Sequence, residues 1–217
     1  MSYTHIDNEP FGPEQLHWIT HLHEQLTNRL QQLFGERVTV WRDEKLQGND
    51  VFAETLVEQL SKVAVLISVC SPRYLKSEWC QRELDEFLRA AETDHGVQVG
   101  TKSRVFKVVK TPVPLDELPD PLPSVLGYEF YEELPGESRV REYLLNPNPE
   151  ERWKFYARVD DLAQDIATLL EDLAEDATSG ASEASAEGRT VYLAEVTSDM
   201  AAHRDNLKRE LERRGHQ

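Results

Sequence analysis

The sequence predicts an α/β sandwich with a parallel sheet held between helix layers, and three observations predict it. Residues 63–70 read Val-Ala-Val-Leu-Ile-Ser-Val-Cys, a nearly continuous apolar run too short for most helices and rich in β-branched side chains. Such a run is a strand covered on both faces, the pattern of parallel sheets. Two longer segments repeat apolar residues at steps of three and four, and strand-like and helix-like segments alternate along the chain.

Taken in order, Gly12-Pro13 opens a helical pattern in which Leu16, Ile19, Leu22, Leu26, Leu30 and Leu33 face one way, closing at Gly35. Residues 38–41 read as a short strand, and residues 42–50 as a polar loop whose end caps a helix striped by Phe52, Leu56, Val57 and Leu60. The buried strand 63–70 ends at Ser71-Pro72. A further helix starts after Ser77, a suitable N-cap, with Cys80, Leu84, Phe87, Leu88 and Ala91 inward.

Residues 105–110 form another strand. Six of the eleven prolines then fall between Pro112 and Pro135, which predicts a long irregular connection interrupted by a short strand at 128–131. Phe155, Val159, Leu162, Ile166, Leu169 and Leu173 mark a core-packing helix over 150–173. Residues 174–188 carry no large apolar side chain and read as a flexible linker. Residues 189–217 read as the strand-helix start of a second, incomplete domain, because a lone strand and helix cannot bury their own apolar faces.

Composition excludes several functions. The 217 residues carry a formal charge of −16, but residues 1–111 hold 13 basic and 16 acidic side chains while residues 112–188 hold 5 and 19. The acidity is therefore local and reads as a solvated face, leaving the first half able to bind a small anion. A nucleic-acid partner held by a basic surface is disfavoured, and no apolar run reaches the ~18 residues of a membrane span. The N-terminus lacks the pattern of a signal peptide. Cys70 and Cys80 are the only cysteines and form no CxxC pair, so a reducing, cytoplasmic setting is expected.

Three stretches, in order, carry a resemblance: Ser2-Tyr3-Thr4-His5, then Trp41-Arg42-Asp43-Glu44-Lys45-Leu46-Gln47-Gly48-Asn49-Asp50, then Ser71 through Leu84. Together they resemble the Toll/interleukin-1 receptor (TIR) domain of bacterial type, over residues 1–173. The resemblance implies a flavodoxin-like three-layer sandwich whose first strand ends at Ser2-Tyr3 and whose BB loop is residues 42–50. An apolar strand is expected before Ser2-Tyr3, and Met1 stands where it should be. Either that strand belongs to a lost start of the chain, or residues 191–196 fill its place.

Many bacterial TIR proteins destroy NAD+ in defence against phage. In NAD-cleaving members the catalytic residue is a glutamate four places after a tryptophan on the third helix, a spacing that Trp79 and Glu83 fit. Residues four apart share a helical row. Glu83 lies between Trp79 and Phe87 on that row, which predicts a half-buried carboxylate. The resemblance further implies that Trp79, His5, Arg42, Lys45, Gly48 and Phe52 border the nucleotide, with the two cations facing phosphate, and that the BB loop docks a neighbouring protomer. NAD+ is then the substrate, and no separate cofactor is expected.

Two other readings remain. One is a non-catalytic interaction module, for which Glu83 and Trp79 are incidental; the other is a nucleotide sensor without turnover. No metal is expected, since His17, His21 and His23 lack an HExxH arrangement. Neither GxGxxG nor GxxxxGK[ST] occurs. Cys80 reads as a buried structural thiol.

Overall fold

The computed structural model describes residues 1–12, 15–42, 60, 62–94, 96–134, 139–145 and 148–178. Contacts divide the chain into Met1–Ala174 and Glu175–Gln217, and the first unit carries the architecture below. Its helices are α1 (Trp18–Phe34), α2 (Glu78–Thr93) and α3 (Pro149–Thr178), the last of which runs on past Ala174. Its strands are β1 (Leu66–Cys70), β2 (Gln98–Val99), β3 (Lys102–Ser103), β4 (Val105–Val109), β5 (Gly127–Glu129), β6 (Tyr131–Glu133) and β7 (Val140–Glu142).

The central sheet runs β1-β4-β5, with both pairings parallel. Leu66 through Cys70 pair in step with Val105 through Val109, and every residue of these two strands is buried. The apolar run at 63–70 predicts this two-sided burial for β1, and the strand expected at 105–110 is covered in the same way. On the free edge of β1, Ser2 adds a single parallel bridge to Ser68: its amide donates to the Ile67 carbonyl (2.8 Å) and its carbonyl accepts from Val69 (2.9 Å).

Alternation along the strands assigns the two faces. Ile67, Val69, Phe106 and Val108 join one core with α1 and α3, whereas Leu66, Cys70 and Val105 join another with α2. Helices thus cover both sides of the sheet. The stripe Ile19, Leu22, Leu26 and Leu30 is fully buried on α1, and each such side chain contributes about 1.5–3 kcal/mol on leaving water. Gly35 ends the helix in the left-handed conformation (φ 68°) that its missing Cβ permits.

The sequence expectations need four corrections here. α1 begins at Trp18, because the preceding chain closes on itself through a Phe11–Leu16 bridge. Leu33 is 38 % exposed, and Phe34 packs on the core at that end instead. Residues 38–41 form no strand, since side chains and the terminal amine take their carbonyls: Gln31 donates to Val38 (3.4 Å), His23 Nε2 to Val40 (2.6 Å) and the Met1 ammonium to Trp41 (2.7 Å). The strand expected at 128–131 divides into β5 and β6, the latter turning back antiparallel onto β7.

Between Lys110 and β5 the proline-rich connection holds only a one-turn helix (Leu115–Glu117) and turns, as its composition predicts. The hairpin β2-β3 was not foreseen; Gly100, at φ 57°, makes its turn. On α3, Phe155, Val159, Leu162, Ile166, Leu169 and Leu173 are all buried, and the helix continues to Thr178, into the stretch whose composition reads as linker. The strand-helix start at 189–217, with residues 191–196, lies outside the described residues, as does the predicted helix through Phe52, Leu56 and Val57. No described helix is long and apolar enough to cross a membrane.

Candidate functional site

Open parallel sheets gather ligands beyond the carboxyl ends of their strands, where loops diverge. Two such segments meet at this end of the sheet. One follows Ser2 and includes the short turn His5–Asn8; the other follows β1 and leads through the turn Tyr74–Lys76 into α2. Asp7 joins them, one carboxylate oxygen accepting from the Thr4 hydroxyl (2.5 Å) and from the Ser71 hydroxyl (2.7 Å). The Ser71 hydroxyl also accepts from the Tyr74 amide (3.1 Å).

α2 then starts as its sequence requires. Ser77 caps it, its hydroxyl accepting from the Cys80 amide (3.2 Å) and satisfying one of the amides left open by the first turn. The inward face carries Cys80, Glu83, Leu84, Phe87 and Ala91. Glu83 is only 5 % exposed, so the carboxylate predicted to be half-buried is almost wholly withdrawn from solvent. The cause is the helical period, which sets position 83 between Cys80 and Phe87 on the face that covers the sheet.

The charge of Glu83 reaches two neighbours. Burial lowers the Met1 ammonium to about 6, and the Glu83 carboxylate opposes that shift. Burial likewise pushes the Cys80 thiol up to about 11, with lesser upward contributions from Glu83 and Asp7. Beside Cys80 three buried hydroxyls gather on Ser2, Ser68 and Tyr74. The two serines lie near enough to temper the strong, burial-driven rise of the Tyr74 phenol, yet none of the three hydroxyls has a well-formed hydrogen bond. A carboxylate in these surroundings is screened far less than one in water, so its field on a nearby cation is correspondingly stronger.

The other predicted residues are distributed as follows. Trp79 is half-buried, packs on the core beneath α2, and has the Arg82 guanidinium 6.0 Å from its ring centroid. His5 is exposed, with its ring edge-on to Tyr3 at 5.7 Å between centroids. Arg42 donates to the Thr20 hydroxyl of α1 (2.9 Å). Glu83 and Trp79 thus share one helix, while Arg42 is held to a different one. Lys45, Gly48 and Phe52 lie outside the described residues.

The three histidines at the start of α1 are each engaged separately. His17 Nδ1 donates to the Asn8 carbonyl (2.8 Å), His21 Nε2 hydrogen-bonds with the Tyr156 hydroxyl (3.3 Å), and His23 takes the Val40 carbonyl. Among the described residues no three His, Cys, Asp or Glu side chains gather as a metal site would require.

Residues 2–101 match the family model of the TIR domain. The TIR match spans the Ser2 bridge, α1, β1 and all of α2 with Trp79 and Glu83, and ends at the β2-β3 turn. Neither the curated proteins nor the solved structures compared with the chain gave a match. Sequence reasoning passed over Asp7, Ser71, Ser68 and Tyr74. Their only signal was position, since Asp7, Ser71 and Tyr74 follow segments that read as strand and Ser68 is the one polar residue inside the apolar run 63–70.

Proposed function

We propose that the chain is an NAD+ glycohydrolase that cleaves the bond between nicotinamide and ribose. The observation carrying this reading is Glu83: a carboxylate withdrawn from water on the helix that also bears Trp79, four residues before it, inside the TIR-matched region. On this reading the fold is the flavodoxin-like three-layer sandwich of TIR domains, in bacterial form, and the protein is cytoplasmic.

The chemistry suits a single carboxylate. Nicotinamide is bound to ribose as a cationic pyridinium, so it departs neutral when the bonding pair moves to its ring nitrogen, and no acid has to protonate it. Positive charge develops on the sugar as an oxocarbenium ion, and the Glu83 carboxylate stabilises that charge and accepts hydrogen bonds from ribose hydroxyls. Water then adds to the anomeric carbon and loses a proton, giving ADP-ribose; attack by the adenine ring instead gives a cyclic product. Trp79 offers an aromatic face to the pyridinium. Arg42 and Lys45 face the phosphates, with His5, Gly48 and Phe52 along the nucleotide.

Activity is switched on by self-association, in which the loop 42–50 of one copy docks on the next, and the biological setting is defence against phage. A non-catalytic interaction module is the alternative, favoured by Ile6 and Phe11, which leave large apolar surfaces exposed on the segment after Ser2. Incubation of the chain with NAD+ at high protein concentration, with product analysis, separates the two. Free nicotinamide from the chain and none from Glu83→Ala supports the enzyme; no turnover in either folded protein supports the module.

A further inference from the structure

We propose that Asp7 is a positioning residue for Glu83: it ties the segment after Ser2 to the turn that launches α2, and so fixes the helix start that carries the carboxylate. This inference rests on the glycohydrolase reading for its catalytic consequence, but not for its structural one.

The connection is continuous. Both hydroxyls that reach Asp7, from Thr4 and from Ser71, donate to the same oxygen, Oδ2. Ser71 is buried and uses its hydroxyl twice, donating to Asp7 and accepting from the Tyr74 amide. Tyr74 begins the one-turn helix Tyr74–Lys76, and its carbonyl accepts from the Ser77 amide (3.0 Å). Ser77 is the cap of α2, bonded to Cys80, and Glu83 follows one turn later on the same buried face. Cys80 and Glu83 lie one turn apart on the buried face of α2, and the Asp7 charge reaches the Cys80 thiol, which it helps to raise.

The alternative, a polar contact that merely closes a loop, would not account for the geometry. Asp7 is half-buried and 64 residues from Ser71 in sequence, and the loop it grips is the one whose conformation sets where α2 begins. A reacting group displaced by as little as 1 Å loses a large part of its rate, so a helix start held from outside its own loop has a direct effect on turnover.

The test uses the full 217-residue chain with Asp7→Ala, Asp7→Asn and Ser71→Ala. Amide hydrogen exchange is read at residues 74–83, and nicotinamide release is read as kcat and KM separately. In Asp7→Ala, exchange at 74–83 rises about tenfold or more while α1 and α3 hold their protection. Its kcat falls about tenfold with KM within about twofold, the mark of a displaced reacting group rather than lost substrate binding. Asp7→Asn restores both, because its amide oxygen takes the place of Oδ2 for both hydroxyls. Ser71→Ala repeats the loss, and the double variant Asp7→Ala/Ser71→Ala is no worse than the more severe single one.

Unchanged exchange at 74–83 in Asp7→Ala overturns the proposal, as do additive losses in the double variant or full kcat despite raised exchange. Should Asp7→Ala fail to fold, Ser71→Ala carries the same exchange test. A chain that releases no nicotinamide defeats the glycohydrolase reading, and exchange still decides whether Asp7 holds α2.

Discussion

The Arg42 guanidinium donates to the Thr20 hydroxyl at 2.9 Å, fastening the chain after residues 38–41 to α1. Thr20 is itself held by Asn8, whose side-chain oxygen accepts the Thr20 amide (2.9 Å) and whose amide nitrogen donates to the Thr20 hydroxyl (3.1 Å). Three segments of the matched region therefore meet on one threonine. A cation held here serves structure first, and any role toward a nucleotide is exercised from this anchor.

Arg42→Ala is expected to cost about 1 kcal/mol, the net worth of one such hydrogen bond, read as a drop of about 2–4 °C in melting temperature. Thr20→Val, which also takes the acceptor from the Asn8 amide, is expected to cost more, and the double variant less than the two together, since both remove the Arg42–Thr20 contact. Additive losses would show that Arg42 and Thr20 act separately.

His23 gives the fold a pH dependence of defined sign. Burial is the main reason its pKa lies below the ordinary 6.5, and the Arg42 charge adds to the lowering. The unfolded chain therefore takes up the proton first. The stability tied to the neutral, buried imidazole is complete above pH 6.5 and is lost as pH falls through the window below it, with the Val40 hydrogen bond opposing the shift. Urea unfolding at pH 7 and pH 5 should show a smaller loss in His23→Gln, which keeps a donor for the Val40 carbonyl; equal losses would remove His23 from the account.

Both thiols are expected to be unreactive in the folded chain, where both are buried. Burial raises Cys70 to about 12 and Cys80 to about 11, so at pH 8 only about one Cys80 in a thousand is a thiolate. Iodoacetamide at that pH should label neither until denaturant is added. Rapid labelling of Cys80 in the native chain would contradict its burial beside Glu83.

Tyr74 carries a buried hydroxyl without a well-formed hydrogen bond, and Phe has the same shape without that hydroxyl. Tyr74→Phe is expected to leave stability unchanged or raise it by up to about 1 kcal/mol, because an unsatisfied buried polar group is costly to keep. A loss of that size instead would mean that the phenol is bonded in solution, to Ser2, Ser68 or a held water.

The legible parts of the fold were those whose burial writes a period into the sequence. Leu66–Cys70 announced itself because both faces are covered, and α3 because six apolar residues in strict steps of three and four all reach the core; Val105–Val109 read as a strand, without its two-sided burial. Two-residue strands such as Gln98–Val99 leave no period to read. Residues 38–41 had the composition of a strand, but a ladder needs partners, and here side chains take the carbonyls.

For the site, the row Trp79, Glu83, Phe87 was readable from spacing, while the depth of Glu83 was not. Periodicity puts position 83 at the border of the stripe, and only the packing of α2 on the sheet decides which side of that border it occupies. The Asp7–Ser71 contact was invisible for another reason: short polar side chains far apart in sequence form no pattern, and it takes the Ser2–Ser68 bridge to bring their segments together.

The measurement closest to the central claim compares nicotinamide release by the chain and by Glu83→Gln, each clustered at high concentration. Gln keeps the shape and removes the charge, and amide exchange verifies that α2 is intact. Release by the chain, with a loss of at least about a hundredfold in the variant, is the expected result, since the removed charge is the one that stabilises the charge developing at the sugar. Equal release by both proteins would contradict a catalytic Glu83, and release by neither would contradict the enzyme itself.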